Sequence, residues 1–478
     1  MDIMDLASKG IVAITKNYGK KVCKNEPFYE IPDEKPIEIK GSGYRAGFAT
    51  AEVMPNVESG RTFWIAGHGS GHKMEGILSP VYVSAVWIDC GGDEGMLWLG
   101  GDFVGMTRIE VNKIRSMILA SPEIKGCKCI NFSCTHSHSG IDTLGYWGKA
   151  NIVSIPSDGK DAEYMDTLMN NAVKVAVEAY KNRKSGKLYS GSIKIEGGLD
   201  AGRNFADKHE VLSRIRFAPD DGSKEIWVIN VGAHPNSLGG GNRLLSGEYP
   251  YYMREYIAKE NGANVLHTIG AIGGMDALML DEKDRANCVK LQGEWFAKAA
   301  MNVENDKELK PEIKLIQQPF YIPVDNNVLT LLAIRKVMSF KAYPCKESEL
   351  GIAMMTEMTY MDIGGQKVLL LPGESFVSTV YGGYNSAEIS ATGEGPEVNP
   401  VPLAEIAGDS SMIACGVSND MSGYVVPPND FILNPTQPYL NTYNDRFGKK
   451  HYHETNSMGK KAAHAVADTF AKVVKNLG

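Results

Sequence analysis

The chain has 478 residues, 43% of them hydrophobic and 22% charged, the composition of an ordinary soluble globular protein with a sizeable core. A net charge of −7 and a pI near 5.9 argue against a nucleic-acid partner, because binding a phosphate backbone needs a basic face that displaces counterions. No window approaches the roughly 18 uninterrupted apolar residues of a membrane span, no export signal opens the chain, and eight dispersed cysteines do not make a disulfide framework; a cytoplasmic protein without integral membrane association is expected.

Residues 1–40 carry Pro32, Pro36 and several charges and read as an extended N-terminal arm over the main body, with 41–478 as one layered domain. Residues 46–49 and 80–88 read as strands, the second strongly apolar. Between them Gly67-His68-Gly69-Ser70-Gly71-His72-Lys73 is a glycine-rich loop whose backbone can approach a ligand closely. His68 and His72 are candidate substrate contacts there, the plain alternative being a surface loop.

The strand at 97–99 ends in Gly100-Gly101-Asp102, which puts the Asp102 carboxylate at a strand end as a further candidate substrate contact. Residues 107–119 have the 3.6-residue period of an amphipathic helix with Thr107 as N-cap. The run 129–133 alternates with period two and passes into Cys134-Thr135-His136-Ser137-His138-Ser139-Gly140. In extended chain His136 and His138 point to the same side, about 7 Å apart. One metal ion fits such a pair, since neutral imidazole is the commonest protein metal ligand; the alternative is two core or surface histidines. Cys127, Cys129 and Cys134 lack the spacing of a structural zinc site and read as buried thiols.

Asp161 is placed to cap a helix over 162–181, with Met165, Leu168, Ala172, Val175 and Ala179 at helical spacing. The strand at 226–231 runs into Gly232-Ala233-His234-Pro235-Asn236, and that at 265–269 into Gly270-Ala271-Ile272-Gly273-Gly274-Met275-Asp276. Residues 368–371 lead into Pro372-Gly373-Glu374, and 412–414 lead through Cys415-Gly416 to Asn419-Asp420 and Gly423-Tyr424. Singly these are weak signals. Their recurrence is not: apolar strands ending in glycine-marked loops that bear Asp, His, Glu or Tyr are what α/β sheets show where ligands bind beyond the carboxyl ends of the strands. Helices near 250–259, 284–303 and 460–477 alternate with the strands, so the expected class is α/β, a layered domain with mixed β-sheets flanked by helices.

Three stretches taken in order, Thr135-His136-Ser137-His138-Ser139-Gly140, Leu371-Pro372-Gly373-Glu374 and Asn419-Asp420-x-x-Gly423-Tyr424-Val425-Val426, with Gly232-Ala233-His234 between the first two, resemble the neutral/alkaline ceramidase family. The likeness runs from about residue 46 to 427 and is thin outside the motifs. It implies a ceramidase-like α/β catalytic domain that binds zinc through His136, His234, Glu374 and Tyr424, with His138 as a hydrogen-bond donor beside the reacting carbonyl and Arg203 in contact with substrate. Two imidazoles and a carboxylate are a common ligand set of hydrolytic zinc sites, and the cation would draw a phenol of pKa near 10 toward phenolate. The same set also suits other divalent transition metals.

One departure stands out. The family carries a nucleophilic serine in a Gly-Asp-x-Ser-Pro-Asn turn, and the matching segment here is Gly273-Gly274-Met275-Asp276-Ala277-Leu278. Asp276 takes the serine's place, as general base for the attacking water, as an orienting or capping residue, or, by less common chemistry, as a nucleophile that forms a covalent intermediate. No C-terminal β-sandwich domain of the kind found in many family members is expected. A zinc-dependent hydrolase of a small polar, polyol- or sugar-derived substrate is therefore expected, a divergent relative with Asp276 or His138 shuttling the proton. Asn236 and the polar loops around 68–73 and 236–243 would supply hydrogen bonds to substrate hydroxyls. The alternatives are an N-acyl amide hydrolase acting on ceramide-like lipids, and a catalytically inactive relative that binds a ligand. Assembly into a homo-oligomer is left open.

Overall fold

A computed structural model describes residues 3–150, 156–203 and 208–478. The strands that the apolar runs foretell are there, and they belong to two large mixed sheets. The first places, in spatial order, Asn264–Ile269, Ile226–Val231, Val211–Pro219, Lys184–Lys194, Tyr44–Glu52, Tyr82–Asp89, Gly95–Gly101 and Cys127–Cys134, with Lys307–Glu308 paired beside Lys184–Lys194. The second places Ile37–Lys40, Glu312–Pro323, Ile352–Ile363, Gln366–Leu370 and Ile413–Cys415, with Ala342–Pro344 against Ile352–Ile363.

The two sheets face each other. Ala46, Ile88, Met96, Trp98, Phe217, Val228 and Leu266 of the first interlock with Ile313, Leu315, Met361, Val368 and Leu370 of the second. Successive side chains of a strand point to opposite faces, so the alternate residues Trp87, Leu97, Leu99, Trp227, Ile229 and Leu369 pack outward, against helices. Arg108–Leu119, Ala162–Lys181, Glu248–Glu260 and Arg285–Met301 cover the first sheet; Ala462–Leu477 covers the second, where Phe470 meets Tyr360 edge-on at 5.0 Å between ring centroids. Strands buried on both faces have to be apolar almost throughout, which is why their runs stand out in the sequence.

Most pairings are antiparallel, but three pairs within these sheets are parallel: Gly95–Gly101 with Cys127–Cys134, Ile226–Val231 with Asn264–Ile269, and Gln366–Leu370 with Ile413–Cys415. Their carboxyl ends carry all the candidate ligands, as described below. Among the described residues no helix is long and apolar enough to cross a membrane.

Two local expectations need correction. The N-terminal segment is not extended throughout: Ile3–Asn25 is a helix whose Ile11, Thr15, Gly19 and Val22 are buried. Its apolar residues are spaced for one face, a pattern that the prolines further on obscured. Thr107 does stand at the N-cap of Arg108–Leu119, yet its hydroxyl makes no capping bond. The Asp420 carboxylate, distant in sequence, accepts from the Arg108 N–H at 2.9 Å instead. Asp161, by contrast, caps Ala162–Lys181 as its sequence position foretells, accepting from the Tyr164 N–H.

Candidate metal centre

Each parallel pair ends at the same place, and backbone hydrogen bonds between the loops that follow hold them together. Thr135 N–H donates to Gly101 O at 2.9 Å, His138 N–H to Pro235 O at 2.9 Å, His234 N–H to Met275 O at 3.1 Å, Gly273 N–H to Ser375 O at 2.9 Å and Glu374 N–H to Gly423 O at 3.0 Å. Short parallel pairing sets Glu374 directly beside Tyr424, and an isolated bridge sets His234 beside Asp276. Six loops from distant parts of the chain thereby make one floor.

The strand Cys127–Cys134 stops before the histidines, and His136 takes a left-handed backbone conformation, φ +63°. The extended geometry expected for His136 and His138 is therefore not what forms. The turn brings their Nε2 atoms to 3.0 Å from each other, and the rings of His136, His138 and His234 meet pairwise edge-on at 4.7–5.2 Å between centroids. The ligand atoms of these three buried imidazoles all lie within 4.8 Å of one another.

Glu374 Oε2 lies 3.3 Å from His136 Nε2 and 3.1 Å from His234 Nε2. The ring tautomers follow from the other nitrogens. His136 Nδ1 donates to Val104 O at 2.5 Å, and His234 Nδ1 to the Ile272 and Met275 carbonyls, each at 3.1 Å. In the neutral rings both Nε2 atoms are then bare lone pairs facing a carboxylate oxygen, and among the described residues neither His234 Nε2 nor Glu374 Oε2 meets a hydrogen-bond donor. Such a cluster of acceptors repels itself unless a proton or a cation lies among them. Ligands about 2.0–2.1 Å from a tetrahedral ion stand about 3.3 Å apart along each edge, so the spacing, the tautomers and the donor set fit a zinc-like cation.

Charge couplings point the same way. Burial works against ionising Glu374, but His136 and His234 outweigh it and hold the carboxyl below its ordinary range. Burial likewise works against protonating His234, and there Glu374 and Asp276 prevail, raising its pKa. His138, buried among His136, His234 and His68, is pushed well below the usual imidazole value. The Tyr424 hydroxyl is hydrogen-bonded to Glu374, and burial together with that carboxylate pushes its pKa well up. The approach of phenolate expected beside a cation is thus a property the cation itself would have to supply.

Around this cluster the other candidates divide. Asp276 turns toward the site, its Oδ1 accepting from Asn236 Nδ2 at 2.8 Å. His68 meets His138 edge-on at 5.0 Å, with its Nε2 buried and without a partner among the described residues. Gly67 makes that approach feasible: its φ is +103°, and a Cβ there would collide with His138. His72 stays at the partly exposed side of the loop near Arg243. Asp102 is taken up elsewhere: both its oxygens are clasped by Arg254, Oδ1 at 2.9 Å from Nη1, and it accepts from the Tyr82 N–H at 3.0 Å. It props the histidine loop from behind rather than offering substrate a free oxygen. Arg203 is similarly committed, donating to His453 Nδ1 at 3.0 Å, to Asp430 Oδ2 at 3.1 Å and to Glu454 Oε2 at 2.8 Å. A guanidinium held on all three nitrogens is not presented for direct contact with a substrate. Cys129 and Cys134 are buried and Cys127 half-buried, and burial raises the pKa of each, to about 12 for Cys127 and Cys129.

Two groups at the site escaped the sequence reading. His451-Tyr452-His453-Glu454 brings the Tyr452 and His453 rings alongside Tyr424, the Tyr424 and His453 centroids being 4.7 Å apart. The density of His, Tyr and Glu within four residues was the available signal. Glu248, fully buried at φ +53°, accepts from Ser139 Oγ at 2.7 Å and from the Ser237 N–H at 3.1 Å, so it ties the two histidine loops together. No signal in the sequence separates it from any other helical glutamate.

No protein-family model matches the sequence, and no curated protein matches it at a significant level. Solved structures do. The neutral ceramidase from Pseudomonas aeruginosa superposes with a TM-score of 0.65 at 14% identity, over 90% of this chain and 74% of that one. A ceramidase complexed with C2 gives a TM-score of 0.63 at 14% identity, over 90% of this chain and 75% of that one. The layered α/β architecture described above is therefore the fold seen in neutral ceramidases.

Proposed function

We propose that this chain is a metal-dependent hydrolase that adds water to a carbonyl carbon of a small polar substrate. His136, His234 and Glu374 would hold zinc or another divalent transition-metal ion, with Tyr424 completing the set and His138 at its flank. The observation that carries this reading is the buried Glu374 Oε2 placed 3.1 and 3.3 Å from two imidazole nitrogens whose protons are engaged on the far side of each ring. A bound ion would supply Lewis acidity to the carbonyl oxygen and make a neighbouring water acidic near pH 7.

The chain's own residues would do the rest. Asp276, oriented by Asn236, accepts the proton of the attacking water and returns it to the leaving atom. His138, neutral in its buried setting, places a ring nitrogen where a substrate oxygen would receive a hydrogen bond. His68, Asn236 and Tyr452 give the rim a polar character suited to hydroxyl-bearing substrates. A second reading, cleavage of an N-acyl amide, is supported by the naming of both structural neighbours as ceramidases.

The test combines metal analysis with a substrate panel. The purified protein is expected to contain about one transition-metal ion per chain and to turn over sugar lactones or polar amides. Preference for detergent-solubilised N-acyl sphingosine would favour the second reading. Substoichiometric metal and no turnover would leave an inactive ligand-binding relative. Asp276→Asn is expected to keep the metal and to lower kcat by about 100-fold or more, within the range for a lost general base; unchanged kcat would remove Asp276 from the mechanism.

A further inference from the structure

On the Tyr424 side of the centre lies a buried donor that none of the described residues satisfies. His453 is 1% exposed, stacked on Tyr452 at 3.9 Å between centroids and edge-on to both Tyr424 at 4.7 Å and Phe376 at 5.2 Å. Its Nδ1 faces Arg203 Nε at 3.0 Å. A guanidinium nitrogen can only donate, so Nδ1 is the acceptor and the one proton of the neutral ring resides on Nε2. That Nε2–H is buried and has no partner among the described residues, a costly condition for a polar group. The arrangement is built rather than incidental: Arg203 is itself pinned by Asp430 and Glu454, and Glu454 is braced in turn by His451 Nδ1 at 2.8 Å.

Resting on the hydrolase reading above, we propose that His453 is a further catalytic residue. Its Nε2–H donates a hydrogen bond to a substrate oxygen beside Tyr424, and Arg203 is the positioning residue that fixes its tautomer. The bond strengthens as negative charge gathers on that oxygen, and no proton is transferred. Arg203 thereby acts on substrate through an imidazole rather than by contact.

The tautomer can be read without any activity. In ¹⁵N-histidine NMR of the full-length wild-type protein, the signals lost in His453→Gln identify His453. A protonated Nε2 and a bare Nδ1 are expected, while a protonated Nδ1 overturns the inference whether or not the protein is a hydrolase. Arg203→Lys is expected to mix the two tautomers. For function, the zinc-loaded wild type, His453→Ala and His453→Gln are compared for metal content, for binding of acetohydroxamate and for hydrolysis of p-nitrophenyl acetate. Expected are unchanged metal content, about 100-fold lower kcat for His453→Ala with little change in KM, as when one oxyanion donor is lost, about tenfold weaker hydroxamate binding, and partial recovery in His453→Gln, whose amide N–H can reach the same oxygen. Wild-type kcat and hydroxamate affinity in a metal-replete His453→Ala would overturn it. A wild type that neither retains zinc nor hydrolyses the ester would instead sink the parent hydrolase reading.

Discussion

Two lone pairs facing a carboxylate define the centre at the scale of single residues. His136 and His234 each spend their Nδ1 proton on a backbone carbonyl, so the face they turn to Glu374 is basic on all sides. Replacing that carboxylate by its neutral amide, Glu374→Gln, keeps the volume and removes the charge that balances a divalent cation. The expected outcome is at least a tenfold loss of zinc affinity by competition against a chelator. Affinity equal to wild type would show that Glu374 is no ligand. The sequence pointed to these side chains through the recurrence of polar groups at glycine-marked strand ends and through motifs that resemble those of the neutral/alkaline ceramidase family. It did not give their mutual arrangement, since the left-handed turn at His136 is imposed by bonds from neighbouring loops and has no glycine to announce it.

Loops and helices set the next scale, and here the histidine loops depend on one buried acid. Burial lifts the Glu248 carboxyl to about 7, above the ~4.3 of a free glutamate. The folded protein therefore takes up this proton at higher pH than the unfolded chain. The stability contributed is complete below the unfolded value and is lost as pH rises through about 7. Metal-free protein is expected to melt at lower temperature at pH 8 than at pH 6, with a smaller difference in Glu248→Gln, as read by differential scanning fluorimetry in chelator. Equal slopes in the two proteins would contradict the assignment. The helix over Glu248–Glu260 was legible from its period, but the left-handed residue that opens it was not. Nor was the helix Ile3–Asn25, because the prolines of the following segment dominated the reading of residues 1–40.

At the scale of the whole molecule, two sheets packed face to face and clad in helices hold the three parallel pairs in alignment, so the site inherits its rigidity from the core. Phe470 on the terminal helix is fully buried against Tyr360, and Phe470→Ala is expected to cost about 3–5 kcal/mol by denaturant titration while the folded fraction still binds metal. A metal held by groups from the ends of all three pairs also links the sheets. Free zinc at about 1,000 times its dissociation constant would add about 4 kcal/mol, seen as a rise in melting temperature of several degrees that excess chelator reverses. An unchanged melting curve would mean that no ion is held by the folded state alone.

What the sequence determined by itself was local or periodic: the apolar runs of doubly buried strands, the amphipathic helices, the α/β class, and the chemistry of the groups at strand ends. Tertiary structure alone decided which of those groups meet. Asp102 looks like a site residue by type and position, and Arg203 by resemblance to the family's substrate-contacting arginine, yet their charges are consumed by Arg254 in one case and by Asp430, Glu454 and His453 in the other. Tyr452 and His453, outside every motif, stand beside Tyr424. Charge pairing between distant segments is a property of the packed chain, and period and residue type carry no record of it.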